Sequence, residues 1–161
     1  MEKIELMSTY HIDSDDFVGV EISFKVNDAF RHAESHSEAE LLSTYERDED
    51  DEEYGVEGSV PCMCLSYENV IYRACDEFRE NGTAEGLISL TPLSGNFLFK
   101  AKADFYDDCI IYFYAFRRED WLFDHGGICM VYQKEYAGTE DEEKLMKVLD
   151  DAAESLVLKE I

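Results

Sequence analysis

The chain has 161 residues, 38 acidic side chains against 14 basic ones, and a formal net charge of −24. Clustered Lys and Arg are what hold a phosphate backbone or an anionic lipid surface, so this balance excludes direct nucleic-acid binding and attachment to anionic membranes. The hydrophobic fraction of 45% and aromatic fraction of 13% are too high for a disordered acidic tail, and the length fits one globular domain over 1–161.

Residues 3–12 read as a first strand, joined to the next through the polar turn Asp13-Ser14-Asp15-Asp16. Phe17–Val26 then alternates: Val18, Val20, Ile22, Phe24 and Val26 share one face, and Gly19, Glu21, Ser23 and Lys25 the other. One buried and one wet face is the pattern of an antiparallel sheet. From Asn27 to Tyr45 the spacing changes, and Ala, Glu and Ser around Leu41, Leu42 and Tyr45 predict a polar helix over about 36–46, capped by Ser35 or Ser37. Residues 47–53 read R-D-E-D-D-E-E, six acids in seven positions. Mutual repulsion at that density predicts an acidic, mobile loop over about 46–58. Gly55 and Gly58 break the chain and Pro61 restarts it.

After Ser66, Val70, Ile71, Ala74, Cys75 and Phe78 recur at helical spacing, and Asn81-Gly82 stops the helix. Strands follow at Leu87–Thr91 and Asn96–Phe105. In the second, Phe97, Phe99, Ala101, Ala103 and Phe105 alternate with Leu98, Lys100, Lys102 and Asp104. Tyr106-Asp107-Asp108 turns the chain into Cys109–Phe116, C-I-I-Y-F-Y-A-F, which is apolar on both faces and predicts a central strand. Arg117–Gly127 is a loop carrying Trp121, Phe123 and His125, and Ile128–Gln133 is a further strand. Thr139 with Glu142 forms a capping box for the last helix. Its apolar face runs from Leu145 through Val148, Leu149 and Ala152 to Val157. The class expected is α+β: a mostly antiparallel sheet of five or six strands, with two or three helices packed mainly on one face.

The chemistry-bearing residues are sparse. His32 and His36 stand at i, i+4 with Glu34, Glu38 and Glu40 nearby; on a helix both rings share a face and suit a divalent metal. No third ligand is marked, so surface histidines are the plainer reading and no metal site is assigned. Cys62 and Cys64 form a C-x-C pair without a second pair at ligand spacing, while Cys75, Cys109 and Cys129 sit in apolar patterns as small core residues. The sequence has no serine-nucleophile elbow, phosphate-cradling glycine loop or Walker lysine. Counted from Asp50, an EF-hand loop would need ligands where Tyr54 and Pro61 stand. No cofactor is expected.

The charge itself is unevenly placed. Residues 1–60 hold 18 acids and 4 basic residues, whereas residues 61–161 hold 20 and 10. Such a field steers basic partners and speeds their association, although acidic proteomes produce similar surfaces without one. The leading expectation is a non-enzymatic acidic protein that neutralises a basic protein partner, such as a nuclease or another nucleic-acid-binding protein. Immunity proteins and nucleic-acid-mimicking inhibitors use this logic. Asp48, Glu49, Asp50, Asp51, Glu52 and Glu53 are the candidate contacts, flanked by Tyr45 and Tyr54. The competing expectation is a small-ligand protein or enzyme with a pocket near Trp121, Asp124 and His125, where the carboxylate orients the imidazole as a general base. A third is a homo-oligomeric structural module. The absence of an 18-residue apolar run, and a start, Met1-Glu2-Lys3-Ile4-Glu5-Leu6, without a basic stretch followed by an apolar one, lead to a cytoplasmic expectation.

Overall fold

The computed structural model describes residues 7–12, 20–27, 30–33, 41–47, 62–66, 68–117 and 125–160. In chain order the first half contributes β1 (Met7–Ile12), β2 (Val20–Asn27), β3 (Phe30–Ala33), β4 (Leu41–Arg47), β5 (Cys62–Ser66) and helix α1 (Asn69–Asn81). The second half contributes β6 (Ser89–Pro92), β7 (Phe97–Phe105), β8 (Cys109–Phe116), β9 (Gly127–Gln133), α2 (Glu140–Ser155) and β10 (Val157–Glu160). Seven strands form one sheet in the order β3-β4-β5-β9-β8-β7-β6, and β1-β2-β10 form a second. All pairings are antiparallel. The class is α+β, built from more strands than the five or six the alternation marks.

β8 explains the layering. Every residue from Ile110 to Phe116 is buried, so neither face meets water. Ile110, Tyr112, Tyr114 and Phe116 join Leu145, Val148, Leu149 and Ala152 of α2, together with Phe24 of β2. The alternate residues Ile111, Phe113 and Ala115 join Ile71, Ala74 and Cys75 of α1. The helices therefore cover opposite faces of the large sheet, which corrects the expectation that they share one. The physical reason is the period-2 geometry of a strand: a run apolar at every position needs an apolar cover on both sides. β2 packs on the far layer, where Lys25 N–H donates to Ser155 Oγ at 2.8 Å.

Two further expectations change. The predicted helix over 36–46 is instead strand from Leu41 to Arg47, paired with β3 and β5. Pairing on both sides supplies what a short polar segment lacks by itself, and it overrides helix propensity. The alternation in β7 also breaks once. The register moves from Phe97↔Phe116 to Phe99↔Ala115, so Leu98 is the extra residue of a bulge. Phe97 consequently packs on the α2 side, while Phe99, Ala101 and Ala103 pack on the α1 side. Arg117 secures this end of the sheet, donating to the carbonyls of Gly95, Leu93 and Phe97 at 2.9, 2.8 and 3.0 Å.

The helix ends follow local chemistry. α1 stops where Gly82 adopts φ 75° and its N–H donates to Phe78 O at 2.8 Å. Ser66 belongs to β5, so Glu68 takes the N-cap position of α1, without a side-chain cap bond. α2 begins as its capping box predicts, with Thr139 Oγ1 accepting from Glu142 N–H at 3.3 Å. The reciprocal arm is displaced by one residue: Glu142 Oε1 accepts from Gly138 N–H at 3.0 Å.

Among the described glycines Gly127 has the closest backbone approach. A Cβ there falls 2.0 Å from the Tyr114 carbonyl oxygen, a backbone atom between two covered faces. Gly127→Ala should therefore lose about 2–4 kcal/mol of stability, as an overpacked core position does. Urea unfolding measures it; a change below about 0.5 kcal/mol, the size of an ordinary surface substitution, contradicts the closeness of β8 to β9.

Candidate functional site

Of the residues singled out for partner contact, Tyr45 is placed by its backbone in β4. Asp48, Glu49, Asp50, Asp51, Glu52, Glu53 and Tyr54 lie outside the described residues. Of the loop expected over 46–58, Glu46 and Arg47 stand in β4, and residues 48–58 lie outside the described residues. His32 stands in β3, a strand, so the helical face it was to share with His36 does not form there; His36 lies outside the described residues. Cys62 and Cys64 belong to β5. Cys75 and Cys129 are buried and Cys109 is half-buried, all as thiols. Among the described residues no three His, Cys, Asp or Glu side chains gather as a metal site.

Trp121 and Asp124 lie outside the described residues, whereas His125 is placed in detail. Its ring stacks on Tyr72 of α1, with centroids 4.4 Å apart and planes 23° from parallel. Arg79 Nη1 lies 3.4 Å from Nδ1. The ring Nε2 is 3.8 Å from Asp76 Oδ1. The second guanidinium nitrogen of Arg79 reaches the carbonyls of Phe116 and Arg117, both at 3.4 Å. Tyr72, Asp76 and Arg79 are spaced by four and three along α1 and so share one helix face. That face holds the end of the 118–127 segment to the helix.

Two carboxylates on α2 are turned inward. Asp150 Oδ1 accepts from Tyr112 Oη at 2.5 Å and from Tyr114 Oη at 2.6 Å. Burial, followed by the Asp150 carboxylate, pushes both phenols above the ordinary tyrosine range, so they remain donors. Glu142 is buried and meets Tyr132 Oη at 2.6 Å and Lys102 Nζ at 3.3 Å through Oε2. Burial raises its carboxyl, but the Gly138 N–H, the Tyr132 hydroxyl and the Lys102 ammonium together outweigh it and hold the group below the usual glutamate range. These contacts bind α2 to β7, β8 and β9. Of the two carboxylates Glu142 is buried and Asp150 half-buried.

Open space lies elsewhere. A cleft of about 350 Å³ runs between α1, residues 85–87 and the turn between β7 and β8. Its residues are scattered over three stretches of sequence with no shared motif, so only the fold brings them together.

The chain matches no family model and no curated protein. None of its described helices is long and apolar enough to cross a membrane.

The depressed carboxyl of Glu142 has a definite sign. The folded state binds its proton less readily than the unfolded chain, so this contribution is complete above the unfolded glutamate value, about 4.3. It is lost as pH falls through the lower folded value. At neutral pH Glu142→Gln should be about 1–3 kcal/mol less stable, the cost of an impaired buried hydrogen-bond set. The gap to wild type should shrink on acidification. Denaturant unfolding at several pH values checks it, and a gap that stays constant into acid contradicts the assignment.

Proposed function

We propose that this protein is a non-enzymatic acidic binding protein that engages and neutralises a basic protein partner. The observation carrying the reading is the excess of acids, 38 against 14, with six acids packed into residues 47–53. A small domain needs a net charge of only about 2–8 for solubility, so −24 exceeds that requirement severalfold. The described fold supports the reading indirectly. Both faces of its central strand β8 are covered by apolar side chains, and the carboxylates Glu142 and Asp150 are bound to tyrosines. Recognition is thereby left to the outer surface and to the 48–53 run.

Electrostatic complementarity at such a surface acts chiefly on association rate and on selection of oppositely charged partners. A nuclease or another protein with a cationic nucleic-acid groove has the matching field. Tyr45 and Tyr54 would supply the aromatic anchors beside Asp48, Glu49, Asp50, Asp51, Glu52 and Glu53. The reading of a ligand pocket at Trp121, Asp124 and His125 has less support, because the His125 ring is stacked on Tyr72 and engaged by Arg79.

The test is affinity capture from the source lysate, with the bound protein identified and its affinity then measured against salt. A basic partner should bind at about 0.1 M salt and release by about 0.5 M, where the screening length falls to a few ångströms. Replacing the six acids of 48–53 with Asn and Gln should lower the association rate by at least about tenfold. Binding that is indifferent to both salt and the replacement would contradict the proposal.

A further inference from the structure

β5 and β9 carry cysteines at one register position. In their antiparallel pairing Cys64 stands directly opposite Cys129, between the pairs Met63↔Met130 and Leu65↔Ile128. Directly opposed residues of an antiparallel pair share a face of the sheet, with Cα atoms about 4.5–5.5 Å apart according to the hydrogen-bond pattern. A disulfide asks for Cα atoms about 4.4–6.8 Å apart. The register therefore meets that requirement whichever kind of pair this is. The meeting is also specific. Cys62 stands opposite Val131 and Glu46, and Cys109 opposite Phe105 and Gln133. Cys75 belongs to α1 and shares a core cluster with Cys129, which makes it the rival partner.

The place of this pair in the fold gives a bond there a consequence. In the order β3-β4-β5-β9-β8-β7-β6, the seam between β5 and β9 joins the three strands of the first half to the strands of the second. Cys129 is fully buried on the α1 side of that seam, with Ile71, Ala74 and Phe113 in the same cluster, while its neighbour Met130 packs on the α2 side. The 48–53 run stands in sequence between β4 and β5. A covalent link across the seam would hold the strands that flank this run to the core.

We propose that Cys64 and Cys129 are an oxidation site, a thiol pair that closes into a cross-strand disulfide stapling β5 to β9. Glutathione disulfide is a sufficient oxidant. One cysteine thiolate attacks a sulfur of glutathione disulfide, forming a mixed disulfide and expelling one glutathione thiolate. The second cysteine thiolate then attacks the protein sulfur of the mixed disulfide and expels the other glutathione. Two protein thiols are oxidised, glutathione disulfide is reduced to two glutathione thiols, and the two cysteine protons end on those thiols. Exchange needs access to the sulfur, and Cys129 is fully buried, so the bond forms during folding or while β5 is open from β9.

The experiment refolds the full chain from urea in a glutathione redox buffer and, in parallel, under a reductant. Remaining thiols are then alkylated, and peptides are mapped by mass spectrometry without reduction. Cys64–Cys129 should be the main link in the redox buffer and absent under reductant. The linked chain should keep the circular dichroism of the reduced chain. Its urea midpoint should rise by about 1 M or more, because the bond closes a loop of about 65 residues in the unfolded chain. Cys64→Ala leaves Cys129 in its core position and should abolish both the link and the difference in midpoint between the two samples. A main link between any other two cysteines, Cys75–Cys129 above all, would overturn the proposal. So would alkylation of all five thiols after refolding in the redox buffer, or a linked chain that loses its native dichroism or gains no resistance to urea.

Discussion

The rest of the structure depends on β8 having no polar face. A strand whose every side chain from Ile110 to Phe116 is buried must lie inside its sheet, with apolar cover on both sides. That requirement places α1 and α2 on opposite faces and sets the composition of each layer. On the α1 side the contacts are small, with Ala74, Cys75, Ala101, Ala103 and Ala115 around Phe99 and Phe113. On the α2 side they are long and aromatic, and three tyrosines carry hydroxyls to the helix. The tyrosine rings serve the core while their tips satisfy Asp150 and Glu142. Neither carboxylate is therefore buried without a partner, which would be costly.

The same constraint bears on where function resides. With both faces of the central strands β7, β8 and β9 largely consumed by packing, neither face is open there as a ligand-binding surface. The net charge of −24 then has to be carried by the outside of the molecule, where self-repulsion opposes compactness. The 48–53 run holds six acids in succession, and this concentration of charge is the ground for treating it as a recognition element.

Much of the second half was legible in the sequence, because its signals are local and strong. The hairpin of β7 and β8, the Gly82 stop of α1 and the Thr139 start of α2 all follow from short-range patterns. Three features were not. Segment 41–47 carries helix-forming residues and becomes a strand only because β3 and β5 flank it. Phe97 changes face through a bulge that alternation does not reveal. The opposed helices were implicit in the two-sided run of β8, but its inward tyrosine–carboxylate pairs emerge only from α2 lying across it. The candidate sites divide in the same way. The acidic run is visible by composition alone, whereas the cleft joins residues 68–77, 85–87 and 104–106, which no spacing rule connects. His125 was noticed as a lone imidazole, but Tyr72 and Arg79, which fix its role, lie 46 or more positions earlier.

The central structural claim is that β8 and its neighbours β7 and β9 form a middle layer closed on both sides. Native-state hydrogen exchange resolved by residue tests it most directly. The account predicts that the β8 amides from Ile110 to Ala115 exchange only through global unfolding, with opening free energies equal to the unfolding free energy measured with denaturant. The buried turns of α1 and α2 should be protected as parts of the same cooperative unit. Rapid local exchange of β8, or an α1 that opens freely while the α2 side stays closed, would show that one face is not part of the core and would contradict the account.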